Sequence, residues 1–396
     1  MTADTGPVVA DHPLTPDFVR HAWHPIESAE LVDGFARVTW LDGVTFDAFT
    51  PWLAENAEGY GLEPTVREST LEPTQLPSAD AVRSVTVDPD GALCVDWGDR
   101  PPVRIHPGWL RSVADEQHLP GSSLPDPRPW TTDDFDEPPT IDGSRLPEDR
   151  DALEQFLASL AEFGVCRLAG TPTDLDFVGR LIGSIGPIRD TNFGPVWSVR
   201  ASPDPDSTAN TGLDLGQHTD LPTRETPPGF QFLHCIENTV AGGRSRLSDG
   251  LAVVEAIETE HPEAYEALTT LEWVFMNRSP AADHRWIGPI IDHGSARQPL
   301  TLRAFYPVRS APHMPTADQP RAYEALRVFA ETARDPRFQI RSAFRPGDLV
   351  GFDNRRILHG RDSFESGGHR HLRGCYADHD DIYSRLRVLR RQTGVT

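Results

Sequence analysis

The segment PGDLVGFDNRRILHGRDSF, residues 346–364, reads as a turn, a strand and a polar exit. Pro346-Gly347 has turn chemistry, because proline presets φ and glycine accepts a left-handed backbone. Residues 348–353 form an apolar strand, and Ile357-Leu358 lead into a polar stretch that opens with His359. Short runs of the same kind recur as FQFLHCIE (230–237), PLTLRAFY (299–306) and FQIRSAF (338–344). Helical patterns lie among them. Leu153, Phe156, Leu157, Leu160 and Phe163 follow the i, i+3, i+4, i+7 rule, with Gly164 as the stop. Leu175–Ile185, ended by Gly186, and the stretches 249–270 and 319–333 are helical too. Strands scattered among peripheral helices, without a regular βαβ alternation, argue for an antiparallel β-sandwich braced by helices.

Upstream the organisation changes. Residues 1–27 are irregular and are expected to be a flexible leader. Residues 28–112 read as a small β-rich domain. In it RVTWLDG (37–43) and LCVDWGD (93–99) are similar strand-plus-turn units, each followed by a Trp-Leu pair, Trp52-Leu53 and Trp109-Leu110. Residues 113–144, rich in Pro, Asp and Ser, are expected to be a linker, and 145–396 the larger domain.

Composition excludes several classes. The 396 residues are too many for one ordinary core. A formal charge of −23 opposes wrapping of a nucleic-acid backbone, which needs clustered Lys and Arg. No apolar run is long enough to span a membrane, and the first residues lack the pattern of a signal peptide. Cys94, Cys166, Cys235 and Cys375 are widely spaced, as expected of reduced thiols in a cytoplasmic protein.

In LGQHTDLP (215–222), His218 and Asp220 are two residues apart, so on an extended strand both side chains would face one way. The triplet alone is equally a polar turn. His359 supplies a third donor, and two histidines with one carboxylate on neighbouring strands make the facial triad of non-haem Fe(II) oxygenases. Such a site leaves three positions open for a cosubstrate and O2. A 2-oxo acid with a distal carboxylate needs a planar, permanently charged partner. Arg370 and Arg373 follow His359 in HRHLRGCYAD, and by strand parity Arg370 shares a face with 372, 374 and 376. His234, within an apolar strand, reads as a core histidine, and His106 as a turn residue.

Three long motifs make a family resemblance specific: HTDLPTRETPPGFQFLHCIENTVAGGRSRLSDG, RPGDLVGFDNRRILHGRDSF and RHLRGCYADHDDIYSRLRVL. Together with the WLDG…WL pattern of the first domain, they resemble the gamma-butyrobetaine hydroxylases. These are Fe(II)- and 2-oxoglutarate-dependent oxygenases related to taurine dioxygenase. The resemblance implies a double-stranded β-helix (jelly-roll) core, with iron held by His218, Asp220 and His359. It implies 2-oxoglutarate paired with Arg370 and lying against Leu233, a small-molecule substrate, and a homodimer. Retention of Asp220 disfavours a halogenase.

Two departures from the family pattern stand out. The cysteines and histidine that would hold a structural zinc are missing, WLAENAEGYGL having no cysteine and Pro101 standing at the histidine position, so no structural zinc is expected. In the aromatic cage that would hold a trimethylammonium group, Phe193, Trp197 and Tyr376 match, but Asn210 replaces an aromatic residue. Bulkier residues also occupy 303–309. The expected reaction is hydroxylation, desaturation or cyclisation of a small molecule at an unactivated C–H bond, coupled to conversion of 2-oxoglutarate to succinate. The expected substrate is not gamma-butyrobetaine itself. A metal-dependent hydrolase would not need the Arg370 motif, and a non-catalytic jelly-roll binding protein would not need every iron ligand.

Overall fold

The computed structural model describes residues 12–119, 121–200, 212–277, 282–294, 300–365 and 368–393. The chain divides into two compact units, Met1–Ser123 with Arg390–Thr396, and Leu124–Leu389.

In the smaller unit, strands Ile26–Val32, Phe35–Trp40 and Thr45–Phe49 form one antiparallel meander. Strands Ser84–Val87, Leu93–Asp96 and Val103–Ile105 form a second. Each is followed by a short helix, Thr50–Glu55 or Pro107–Ala114, with a proline in the first turn, where its missing N–H costs nothing. The helices carry the two Trp-Leu pairs into one core, where the Trp52 and Trp109 rings stack at 5.0 Å. The sequence repeat is therefore a structural one. His106 caps the second helix by accepting the N–H groups of Gly108 and Trp109 at its Nδ1. The first strand begins at Ile26, inside the stretch read as a leader. Just before it, Trp23 stacks on His12 and meets His106 edge-on.

The larger unit is built on two sheets. The strands of these two sheets are β1 (Thr140–Asp142), β2 (Val165–Ala169), β3 (Val196–Arg200), β4 (Leu215–His218), β5 (Phe230–Asn238), β6 (Ser245–Asp249), β7 (Gln339–Ser342), β8 (Leu349–Asp353), β9 (Ile357–Arg361) and β10 (Arg370–Ala377). One sheet has six strands in the order β1-β2-β8-β5-β10-β3, the other four in the order β4-β9-β6-β7. Every pairing is antiparallel except β1 with β2. Leu247, Ile340 and Ile357 of the four-stranded sheet share a buried cluster with Cys235, Val350, Phe352 and Leu372 of the six-stranded one, so the sheets face each other across it. Helices α1 (Arg150–Phe163), α2 (Phe177–Ile185) and α6 (His379–Thr393) contribute to a second cluster, on the six-stranded sheet. Helix α1 ends as its sequence foretells, with Gly164 at φ 70°.

Three expectations need correction. From Leu124 on, the stretch read as a linker is folded into the larger unit. Trp130 is fully buried, donates its indole N–H to the Phe163 carbonyl and its backbone N–H to Asp249, and residues 140–142 are strand β1. A large indole in a Pro-rich stretch buries itself where a partner exists, whatever the local propensity. The helix expected over 249–270 is two, α3 (Gly250–Glu260) and α4 (Pro262–Thr270). Pro262 keeps His261 out of the helical region, at φ −140° and ψ 60°. PLTLRAFY keeps only Thr301–Leu302 as strand. Helix α5 (Gln319–Arg334) follows the prediction closely. Among the described residues no helix is long and apolar enough to cross a membrane.

Candidate metal centre

Strand β4 ends at His218, which lies opposite His359 of β9 in the antiparallel register, and the two imidazole centroids are 4.2 Å apart. Asp220 stands beyond the strand end, and Leu221 takes the left-handed conformation at φ 53°. The Asp220 carboxylate faces the histidines. Asp220 Oδ1 lies 3.3 Å from His218 Nε2 and 3.8 Å from His359 Nε2. All three donor atoms are within 4.8 Å of one another, and among the described residues this is the group of three His, Cys, Asp or Glu so placed.

The donor set fits a divalent cation of the iron type. His218 Nδ1 donates to the Gly216 carbonyl at 2.9 Å, which leaves Nε2 with its lone pair toward the cluster. Burial pushes the His359 imidazole down to about 3, and the neighbouring His218 adds to this, which keeps His359 a neutral donor. Burial works to raise the Asp220 carboxyl. Its neighbours His359 and His218 and the hydrogen bond from the Tyr376 hydroxyl outweigh it and hold the group below the usual carboxylate range. The separations approach the ~3 Å edge of an octahedron whose bonds are near ~2.1 Å. Two imidazoles and one carboxylate leave a face of three positions open.

The surrounding side chains divide by face. Tyr376 donates its hydroxyl to Asp220 Oδ2 at 2.8 Å, leaving Oδ1 for the cluster. Burial, then the Asp220 charge, raises this phenol well above its ordinary value, so it stays a donor. The Trp197 ring lies 5.3 Å from that of Tyr376 and directly over Gly374. A Cβ at 374 would come within 2.4 Å of the indole. Arg370, also on this inner face, is 7% exposed, and burial, with Arg361 nearby, pushes it down to about 10. Leu233 and His359 line one narrow cavity of about 30 Å³ with Leu247, Val350 and Phe352. Phe193 departs from expectation. It is 54% exposed on the loop before β3, so its ring lies largely in solvent, not in a closed cage. Asn210 lies outside the described residues. His234 is fully buried with its Nε2 3.1 Å from Thr171 Oγ1, as a core histidine.

Several residues escaped the sequence reading. Phe305, from the stretch read as strand, packs its ring 4.8 Å from His218, and Phe352 does the same 4.7 Å from His359. Gln231 pairs in register with both Phe352 and Tyr376, so it faces inward between them, 3% exposed, with no partner for its Oε1 among the described residues. Arg361, two residues beyond His359, is 5% exposed, and its guanidinium and that of Arg370 lie 4.7 and 5.9 Å from the Phe364 ring. Strand parity with His359 was the available signal for Arg361.

Comparison with known proteins agrees with this geometry. The family model described as taurine catabolism dioxygenase TauD, TfdA family, matches residues 127–376. A gamma-butyrobetaine dioxygenase of Pseudomonas sp. (strain AK-1) is 36% identical over 370 residues, covering 93% of this chain and 97% of its own. That of Pongo abelii is 27% identical, covering 93% and 98%. Among solved structures, the PvcB protein from Pseudomonas aeruginosa has a TM-score of 0.48 at 20% identity, over 63% of this chain and 90% of its own. The chain therefore belongs to the TauD/TfdA family, and it is a non-haem dioxygenase dependent on Fe(II) and 2-oxoglutarate.

Proposed function

We propose that this enzyme oxidises a small molecule at an unactivated C–H bond, on iron held by His218, Asp220 and His359 within a double-stranded β-helix. The observation that carries the reading is the convergence of three donor atoms within 4.8 Å, with Asp220 Oδ2 already taken by Tyr376. When bound, Fe(II) with 2-oxoglutarate and O2 supplies the oxidising equivalent, and 2-oxoglutarate leaves as succinate and CO2. The protein's part is to bind, orient and keep water out. Arg370 pairs with the distal carboxylate of 2-oxoglutarate. Leu233 and its apolar neighbours close that side of the site, and a buried guanidinium with an unpartnered Nε supports the assignment. Trp197 and Tyr376 shape the substrate side, and Gln231 offers it an open acceptor.

The substrate in this reading is not gamma-butyrobetaine, because the ring of Phe193 is largely in solvent and position 210 holds no aromatic residue. The second reading, a trimethylammonium substrate, is favoured by the Trp197–Tyr376 pair and by the names of the relatives that span nearly the whole chain. Succinate release measured against a panel of quaternary amines, amino acids and natural-product intermediates separates the two. Efficient turnover of gamma-butyrobetaine above all others would reverse the order, and release with none of the panel stimulated by Fe(II) would defeat both.

A further inference from the structure

The chain that leaves Asp220, LPTRETPP (221–228), contains three prolines and so offers few N–H groups and many carbonyls. Those carbonyls have unusual partners. Arg303 donates from Nη1 to the Pro222 and Arg224 carbonyls at 2.8 and 2.6 Å, and from Nη2 to Glu225 at 2.8 Å. Arg189 donates to Thr226, and Arg355 donates twice to Pro227, at 3.0 and 2.8 Å. Asn354 completes the set. Its Nδ2 donates to the Pro228 and Asp220 carbonyls, and its Oδ1 accepts the Asp220 N–H at 2.6 Å. Surface loops leave most such groups to water.

The two central side chains are themselves deeply buried, Arg303 at 2% exposure and Asn354 at 0%. Among the described residues no carboxylate forms an ion pair with Arg303, whose guanidinium lies 4.4 Å over the Trp286 ring. Asp292 acts on it only at longer range, and a guanidinium buried without a direct ion pair is expensive; here its hydrogen bonds go to backbone carbonyls of the segment that follows Asp220. The segment needs that hold. Leu221, a non-glycine residue at φ 53°, keeps a left-handed backbone only where its surroundings over-determine it. Release of this turn would free the Asp220 carboxylate to rotate away from the histidines.

We propose that Arg303 and Asn354 are positioning residues for Asp220, fixing the backbone of 220–228 so that one carboxylate oxygen faces the metal before metal or substrate arrives. The proposal rests on the triad reading above. Hydrogen exchange on the full-length, metal-free enzyme tests the fixing, and anaerobic Fe(II) titration of the same variants tests its purpose. In Arg303→Met and Asn354→Ala, exchange across 219–226 should rise about tenfold or more, and the Fe(II) dissociation constant should rise about 10–100-fold. Arg303→Lys keeps the charge but not the fork, and should recover part of both. It also serves if the methionine variant does not fold. Unchanged exchange in Asn354→Ala and Arg303→Lys would overturn the proposal, as would faster exchange with wild-type Fe(II) affinity, the mark of a merely structural clamp. Failure of the wild type to bind Fe(II) would sink the triad reading, and the positioning role with it, even where exchange responds.

Discussion

Replacement of Tyr376 by phenylalanine removes a single oxygen from the site. The ring that packs 5.3 Å from Trp197 is kept, while Asp220 Oδ2 loses the hydroxyl that donates to it at 2.8 Å. A hydrogen bond to a charged acceptor contributes about 1.5–3 kcal/mol. The Asp220 side chain is 21% exposed, so water replaces part of what is lost. A net loss of about 1–2 kcal/mol follows, or roughly 5–30-fold in metal affinity at 1.4 kcal/mol per factor of ten. That range overlaps the ~10–100-fold typical when a group behind a metal ligand is removed. The assay is anaerobic Fe(II) binding in competition with a chelator, on wild type, Tyr376→Phe and His218→Ala. Tyr376→Phe should fall between the other two, with the KM for 2-oxoglutarate changed by less than about threefold. Affinity equal to wild type would refute the idea that Tyr376 holds Asp220 to one-oxygen ligation.

Other consequences follow from packing. Asp249 is fully buried and pairs with Arg356 through two contacts of 2.8 Å, Nε to Oδ1 and Nη2 to Oδ2. Asp249→Ala strands that guanidinium and should destabilise the protein by about 3–5 kcal/mol. At about 2–4 °C per kcal/mol, thermal unfolding should shift down by roughly 10 °C. Gly374→Ala would push a methyl group into the Trp197 indole. Overpacking of this kind costs about 1–3 kcal/mol; it should raise the substrate KM, as read from succinate-release kinetics.

Much of the frame was legible because period-two apolar runs and glycine stops are local signals. The fold misreadings have two causes, tertiary context and a local break. Trp130 drew a Pro-rich stretch into the core, and Pro262 divided a periodicity that otherwise ran unbroken. The candidate metal residues were singled out by an argument only half correct. His218 and Asp220 do not share one strand face. The strand ends at His218, and Asp220 lies in the turn beyond it, before the left-handed Leu221. Arg303 opens the stretch 303–309, which was read only as bulkier residues on the substrate side. Its partners are backbone carbonyls about 80 residues upstream, which no side-chain pattern announces. Gln231 and Phe352 carry no motif of their own, and only the strand register brings them to the iron side.

The central claim is that His218, Asp220 and His359 together hold the iron on which 2-oxoglutarate is consumed. Anaerobic titration of wild type and His359→Ala with Fe(II) and then 2-oxoglutarate, followed by visible absorption, tests it most directly. Wild type should bind one Fe(II) per chain and develop a weak visible band only after 2-oxoglutarate is added, and His359→Ala should do neither. A band of equal strength in the variant, or none in the wild type, would contradict the claim.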